Sequence, residues 1–149
     1  KSRDLFILME TEFYGKVVKD DLDRNVHMNN TAYVKYFDKA RFDFLDRVSM
    51  GPEDLLMRDL AFVIRSTEYR HRVEMKEGEE FVVKTDIEHY CGGPFVFLKQ
   101  TMESPTGKTC EARIKYVFTE ASGMKRHIEN IPEDLIGKIN PINVVKLAS

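Results

Sequence analysis

The segment from position 21 to position 30 concentrates carboxylate, imidazole and carboxamide side chains within ten residues. Asp23, Asn25 and His27 occupy alternate positions in it, so in an extended or loosely turned chain their side chains point to one side together. Carboxylates and imidazoles are the groups that most often move protons in enzymes. The spacing therefore predicts a polar site that faces a ligand or a substrate.

The same segment has a second interpretation, in which it is only a turn followed by a helix cap. Aspartate and asparagine bond readily to nearby backbone groups and are common in turns and at helix starts. A turn needs one or two such residues, whereas this segment holds a larger set at regular spacing. The spacing favours the functional interpretation, and the turn remains an alternative.

A long amphipathic helix follows the polar segment, and its aromatic residues, Phe42 included, are predicted to be mostly core, with the alternative that some of them line an acyl pocket. Asn30 is predicted to be the N-cap, because its side chain can accept a hydrogen bond from a backbone N–H one turn into the helix. Backbone N–H groups left open at Asn30 and Thr31 would form an electropositive end that stabilises a developing oxyanion. The apolar face is defined by the spacing of Tyr33, Phe37, Ala40, Phe44 and Val48.

Composition predicts one globular domain over residues 1–149. Hydrophobic residues make up 42% of the 149 residues, which is ordinary for a chain with one real core. The formal net charge is −2 and charges of both signs are mixed, so nothing indicates a nucleic-acid partner. No apolar run approaches the roughly 18 residues of a membrane span, and no leader pattern is present. We expect a cytoplasmic protein, or a mature form already trimmed, with no membrane partner.

Cys91 and Cys110 are the only cysteines of the chain. They are too few for a disulfide scaffold, and they lack the paired spacing of a zinc site. Both are predicted to be reduced and mostly structural. The sequence predicts no metal and no cofactor.

The rest of the chain predicts a short helix and a series of strands. Pro52 and the acidic pair after it suit the first turn of a helix at 52–58. The last two strands are predicted to form a hairpin around the turn at 104–108. The fold class is therefore α+β, with one long central helix wrapped by a roughly five-stranded antiparallel sheet. Strands are predicted at 12–18, 61–70, 79–90, 94–103 and 109–119, and a short closing helix at 131–136.

The polar segment and the helix together resemble hotdog-fold thioesterases, in particular 4-hydroxybenzoyl-CoA-thioesterase-like proteins. The motif runs Asp23-x-Asn25-x-His27-Met28-Asn29-Asn30-x-x-Tyr33 and precedes an aromatic-rich helix that contains Ala40-Arg41. Segments at 67–70, 78–80 and 131–133 sit where those proteins carry similar ones. The resemblance covers most of the chain and implies a single hotdog domain.

Within that superfamily the triplet of Asp23, Asn25 and His27 is closest to plant-type acyl-ACP thioesterases, in which the matching residues are catalytic. Those enzymes carry a further Glu downstream, where this chain has Arg72. They also contain two hotdog repeats, and this chain has room for one. The resemblance therefore implies a thioester hydrolase that assembles as a homodimer or homotetramer and completes its site across the interface, with acyl-CoA as the expected substrate and acyl-ACP as the alternative.

The chemistry of a thioester explains how such a set of residues could suffice. The departing thiolate derives from a thiol with a pKa of roughly 8.5, so it leaves without strong acid assistance. Asp23 would act either as a nucleophile that forms a mixed anhydride or as a general base that activates water. Asn25 and His27 would orient the water or the carboxylate, and the backbone at Asn30 and Thr31 would polarise the carbonyl.

Several residues outside the triplet are weaker candidates. His89 and Cys91 could form a Cys–His pair, but nothing nearby orients them. Gly92 and its neighbour favour a strand bend over a close approach to a ligand. His71 and His127 stand in charged surroundings and are predicted to be solvated, or to help bind a phosphate. Substrate contacts are predicted at Asn29, Tyr33, Cys91 and Gly92.

Two other classes of function remain open. A hotdog hydratase or dehydratase would share the fold and the CoA ligand but act on a double bond, using a carboxylate and a histidine on a motif that this chain lacks. A noncatalytic acyl-CoA-binding module would agree with the missing downstream Glu.

Overall fold

A computed structural model describes residues 10–88, 90–122 and 126–139 of the chain. One turn of 3-10 helix, Lys19–Asp21, leads into the polar segment. The helices are α1 (Asn30–Arg47), α2 (Pro52–Leu56) and α3 (Glu133–Ile139). The strands are β1 (Glu10–Lys16), β2 (Leu60–His71), β3 (Glu80–Ile87), β4 (Phe95–Ser104) and β5 (Gly107–Glu120).

The strands form one five-stranded sheet in the order β1-β3-β4-β5-β2, and every neighbouring pair is antiparallel. β1 and β2 are therefore the edge strands. β4 and β5 form the predicted hairpin, in which Ser104 pairs with Gly107. The predicted α+β architecture and the order of its elements are confirmed.

The core lies between one face of α1 and the inner face of the sheet. Phe37 and Phe44 of the helix are fully buried, and the inner residues of β5 pack in the same cluster. β3 alternates as predicted, since Phe81, Val83, Thr85 and Ile87 are buried and the residues between them are only partly covered. The predicted helix face is buried in full: Tyr33, Phe37, Ala40, Phe44 and Val48.

Phe42 is an exception to the prediction that the aromatic residues of the helix are core, because its side chain is 50% exposed. It stands five residues after Phe37, and at about 3.6 residues per turn that spacing rotates it well away from the buried stripe. Residue type suggested burial, whereas the position on the helix decides exposure. His89 was predicted to lie on the same face of β3 as its buried residues, but it lies outside the described residues.

Edge strand β2 contains one β-bulge. Its pairing with β5 shifts just after Ile64, so that Arg65 is an extra residue. Before the shift, Phe62 and Ile64 lie on the helix side of the sheet; after it, Tyr69 and His71 do so. Both halves of β2 thus present side chains to the groove beside α1.

Candidate functional site

Residues 23–27 form a tight turn that is closed by the carboxylate of Asp23. Its Oδ1 accepts hydrogen bonds from the backbone N–H groups of Asn25 at 2.9 Å and His27 at 3.3 Å. Val26 completes the turn with a φ of 64°, a value that β-branched residues rarely adopt. Among the described residues no donor bonds to Oδ2 of Asp23. The turn that the alternative interpretation predicts is therefore present. It also orients the exposed carboxylate of Asp23, which keeps one open oxygen.

Asp21 is buried two residues earlier, with a side chain that is 1% exposed. Its Oδ1 accepts from Lys35 Nζ at 2.6 Å, and its Oδ2 accepts from the Tyr36 hydroxyl at 2.6 Å and the Val18 N–H at 3.0 Å. Burial alone would raise the pKa of Asp21, but these three hydrogen bonds outweigh it and hold the pKa below its ordinary value. Asp21 therefore ties the polar segment to α1.

Asn29 is the N-cap of α1, so the prediction of Asn30 is wrong by one residue. The Oδ1 of Asn29 accepts from the Ala32 N–H at 2.9 Å and from the Thr31 hydroxyl at 2.5 Å. Two adjacent asparagines offer the same side chain, and only the position at which the backbone turns helical distinguishes them. Asn30 and Thr31 then fall in the first turn, where N–H groups have no acceptor within the helix.

A cavity of about 440 Å³, called here the polar cavity, opens at this end of α1. The sequence predicts four of its lining residues, and they come from the polar segment and the first turn of the helix. The other wall is the end of β2 and the chain that follows it. The lining includes Asp23, His27, Asn30, Tyr33, His71 and Glu74.

Two histidines stand on opposite walls of the polar cavity. His27 is paired through Nδ1 with Glu74 Oε2 at 3.2 Å, and its side chain is 31% exposed. His71 lies with Nε2 at 3.2 Å from Asn30 Oδ1, and its ring contacts the edge of Tyr33 at a centroid distance of 4.8 Å. His71 is exposed, as a solvated residue should be, and it also borders the site.

The sequence gives little indication of the second wall. His71, Arg72 and Glu74 are more than forty positions beyond Asp23 and follow no motif spacing. They reach the site because β2 is the edge strand beside the start of α1. Arg72, at the position where the resembling enzymes have Glu, lines the cavity and donates through Nε to Glu111 Oε2 at 2.6 Å.

Five predicted site residues are not part of this lining: Asn25, Asn29, Thr31, Cys91 and Gly92. Asn25 contributes its backbone N–H to the turn, and its side chain is not among those that border the polar cavity. Cys91 and Gly92 belong to the connection between β3 and β4, where Gly92 has a φ of 105° that suits the predicted bend. Phe95 aligns through β5 with Val63, so this connection lies at the opposite end of β2.

A second cavity, of about 370 Å³, lies beside the other half of α1 and is called here the apolar cavity. Phe42 and Ile64 line it and are 50% and 43% exposed. The rings of Phe37 and Tyr69, 5.6 Å apart, lie between this cavity and the polar one. The groove between α1 and β2 is therefore polar at one end and apolar at the other.

Cys91 and Cys110 are both reduced, as predicted. Burial raises the pKa of the Cys110 thiol to about 11, so it is protonated and unreactive at neutral pH. No three His, Cys, Asp or Glu side chains among the described residues are grouped to hold a metal ion. Of the helices in the described part of the chain, none is both long enough and apolar enough to cross a membrane.

A family model described as the thioesterase-like superfamily matches residues 17–139, a range that includes the lining of both cavities. The chain belongs to this superfamily. Its long helix wrapped by a five-stranded antiparallel sheet is a hotdog fold, as the resemblance implies.

Individual relatives are more distant. Protein THEM6 from Danio rerio is 31% identical over 81 residues, which are 54% of this chain and 40% of that protein, so the match spans less than half of the relative. The solved structure of SAV2348 from Staphylococcus aureus in complex with CoA has a TM-score of 0.79 at 16% identity and covers 92% of this chain and 84% of its own. Slr0204, a 1,4-dihydroxy-2-naphthoyl-CoA thioesterase from Synechocystis, has a TM-score of 0.75 at 10% identity, with coverages of 87% and 95%. At these identities the two structures establish the fold.

Proposed function

We propose that this protein hydrolyses acyl-CoA thioesters to a free acid and a thiol, with Asp23 as the reacting carboxylate. The observation that carries the proposal is the state of that carboxylate. Two backbone N–H groups hold Oδ1, Oδ2 is open, and the side chain borders a cavity at the start of α1. Membership of the superfamily supports the reaction, and the CoA complex of a similar structure supports the carrier.

Asp23 can act in either of two ways. As a general base, its Oδ2 takes a proton from water while the water oxygen bonds to the thioester carbon; the C–S bond then breaks, and the thiolate receives the proton. As a nucleophile, Oδ2 itself bonds to the carbon and the thiolate leaves, after which water cleaves the mixed anhydride. Turnover in isotopically labelled water distinguishes them, because only the anhydride route can leave label in the Asp23 carboxylate.

The start of α1 supplies the second requirement, stabilisation of the oxyanion. The backbone N–H groups of Asn30 and Thr31 are in the first turn, and the positive end of the helix dipole adds to them. His27 and Asn25 position Asp23 through the turn, and His27 also faces the cavity. In this proposal Asn29 acts through the cap that fixes the helix start.

A homodimer formed through β2 would complete the site, and a homotetramer would pair two such dimers. β2 is a 12-residue edge strand whose residues 64–68 are exposed, and an open edge is a template for a second strand. If the β2 strands of two protomers pair in antiparallel fashion about a two-fold axis near the strand centre, each polar cavity lies beside the partner's apolar cavity. It also brings the partner's connection with Cys91 and Gly92 to the same end.

This arrangement provides room for the acyl group. Within one protomer the contact between Phe37 and Tyr69 separates the two cavities, so an acyl chain would enter the apolar cavity of the partner. Ser66→Arg places like charges near the proposed axis and should shift sedimentation toward the monomer. Tyr14→Arg, a change on the exposed edge strand β1, is the control. A Ser66→Arg protein that remains dimeric, or a wild type that is monomeric, would contradict the β2 interface.

Thiol release from acyl-CoA and aryl-CoA thioesters of graded size tests the activity. We expect turnover to peak at one acyl size and to fall roughly 10²–10⁴-fold in Asp23→Asn, the range for loss of a general base. Asp20→Asn, which removes an exposed carboxylate from the 3-10 turn that leads into the polar segment, is the matched control. Folded wild-type protein that cleaves no thioester on CoA or a carrier protein refutes the proposal.

Arg72 gives one specific reason to keep a noncatalytic acyl-CoA-binding module as the second candidate. It stands where the resembling enzymes have Glu, and it borders the polar cavity as a cation paired with Glu111. Such a module would bind the same CoA thioesters with an affinity that Asp23→Asn leaves unchanged, and would not release thiol.

A further inference from the structure

Asn30 and His71 form a side-chain pair on the wall of the polar cavity, and the proposed hydrolysis uses neither side chain. Both residues line the cavity and both are exposed, so a ligand in the cavity can reach them. His71 Nε2 lies 3.2 Å from Asn30 Oδ1. A carboxamide oxygen only accepts hydrogen bonds, so Nε2 is the ring nitrogen that carries the hydrogen in this contact. The pair joins the first residue of α1 to the last residue of β2.

The ring of His71 is held in place by a buried neighbour. It meets the Tyr33 ring at 80° with the centroids 4.8 Å apart, an edge-on contact that aromatic rings prefer. Tyr33 is 4% exposed, and its hydroxyl is hydrogen-bonded to the backbone of Met75, a fully buried residue. Because Tyr33 is fixed at both its ring and its hydroxyl, the His71 ring packs against a rigid surface.

The bond to His71 determines what the Asn30 carboxamide offers to a ligand. A carboxamide has an acceptor oxygen at one end and a donor NH2 group at the other, and half a turn of a free side chain exchanges them. With Oδ1 bonded to the His71 N–H, the end that remains unbonded is the NH2 group. No acceptor for this group exists among the described residues. Asn30 therefore offers a donor on the wall of the polar cavity.

A donor at this position suits a developing oxyanion. During attack on a thioester the carbonyl oxygen gains negative charge, and donors that are fixed before the reaction stabilise that charge most. The backbone N–H groups of Asn30 and Thr31 begin the same helix, and Asp23, the proposed reacting carboxylate, lines the same cavity. A carboxamide oxygen in place of the NH2 group would repel the oxyanion. The orientation of this one amide thus decides the sign of its effect.

We propose that the side-chain amide of Asn30 donates a hydrogen bond to the thioester oxygen, and that His71 is a positioning residue that fixes the amide in this orientation. The inference rests on the proposed hydrolysis for its reaction. It adds a side-chain donor to the backbone donors of the helix start. It also assigns a task to a histidine that reaches the site from a distant strand.

Variants of His71 separate its hydrogen bond from its packing. His71→Phe keeps a ring against Tyr33 and loses the donor, whereas His71→Gln can still donate through its own amide. We expect kcat to fall roughly tenfold or more in His71→Phe with little change in KM, because the Asn30 amide then turns freely, and to recover largely in His71→Gln. His127→Phe makes the same change where the ring packs edge-on against Phe95, and it should keep wild-type kinetics. Wild-type kcat in His71→Phe, or no recovery in His71→Gln, overturns the positioning role.

Variants of Asn30 test the donor itself. Asn30→Ala removes the amide, and we expect kcat to fall roughly 10²–10³-fold, the loss for one oxyanion donor. Asn30→Asp keeps an acceptor for His71 and suits a helix start, yet it should lose at least as much because its charge repels the oxyanion. Asn130→Asp, the same change at an exposed residue outside the cavity lining, is the control. Wild-type kcat in Asn30→Asp overturns the donor role.

Nuclear magnetic resonance separates this inference from the hydrolysis, because it needs no turnover. Nitrogen-15 spectra identify the His71 tautomer, and we expect the hydrogen on Nε2. A ketone analogue of acyl-CoA, in which CH2 replaces the thioester sulfur, should shift the Asn30 side-chain NH2 signals in the wild type and by much less in His71→Phe. Shifted signals without turnover of any thioester support the amide contact and reject the hydrolysis. Unshifted signals, or a His71 with its hydrogen on Nδ1 alone, overturn the inference, and turnover in that case leaves the hydrolysis standing.

Discussion

Asp21 and Asp23 stand two positions apart, and the fold surrounds them in opposite ways. Both oxygens of Asp21 are bonded inside the protein, by Lys35, Tyr36 and a backbone N–H. Asp23 is exposed, and only one of its oxygens is bonded. A carboxylate with no open oxygen can hold elements together, whereas one with an open oxygen can also act on a ligand. The comparison assigns structure to Asp21 and the proposed chemistry to Asp23.

The largest expected effect on stability comes from Asp21→Asn. The change removes a charged acceptor of three hydrogen bonds at a buried position, and we expect a loss of about 2–4 kcal/mol in the free energy of unfolding. Urea denaturation measures it. Asp23→Asn is the paired control, since the amide oxygen can still close the turn, and its midpoint should stay near that of the wild type. Similar losses in both variants would remove the distinction.

The pH dependence of stability sharpens the same contrast. The pKa of Asp21 is lower in the folded protein than its value of about 3.9 in an unfolded chain, so the folded state favours the ionised form. Its contribution is complete above the unfolded pKa and is lost as the pH falls through the folded pKa. The difference in unfolding free energy between wild type and Asp21→Asn should therefore be constant from pH 7 to about pH 5 and shrink below about pH 4. A difference that grows on acidification contradicts this assignment.

A smaller effect is expected from Tyr36→Phe. It removes one of the three donors to Asp21 and leaves Lys35 and the Val18 N–H in place, so we expect a loss of about 1–2 kcal/mol. Tyr14→Phe removes a hydroxyl that bonds Glu12 at the surface and should not change the urea midpoint measurably. Equal stability of the two tyrosine variants would show that the Tyr36 bond adds little to Asp21.

The sequence predicts the fold well because hydrophobic spacing and turn residues decide it. The stripe from Tyr33 to Val48, the alternation of β3 and the turn at 104–108 each rest on local patterns. Exact ends depend on backbone geometry that residue types share, so Asn29 and Asn30 could not be told apart. Phe42 shows the same limit, since its angle around the helix, and not its type, exposes it.

The candidate site is predictable only on the wall that one segment forms. Asp23, His27, Asn30 and Tyr33 are close in sequence and meet in the cavity. His71 joins them through the pairing of β2 with β5, a contact between distant parts of the chain. Nor can spacing reveal that Asp21 is buried and Asp23 exposed, because two aspartates separated by one leucine look equivalent in a sequence.

The extra residue at Arg65 shifts the alternation of side chains in β2 by one position. Before it, the even-numbered Phe62 and Ile64 lie on the helix side of the sheet and line the apolar cavity together with Ala61 and Val63; after it, the odd-numbered Tyr69 and His71 lie on that side, near the polar end. Deleting Arg65 would restore a regular pleat and keep both sets facing α1. Deleting Glu68 would instead turn Tyr69 and His71, or else Phe62 and Ile64, to the outer face of the sheet. Length variation in this strand is therefore tolerable at one point and disruptive a few residues away.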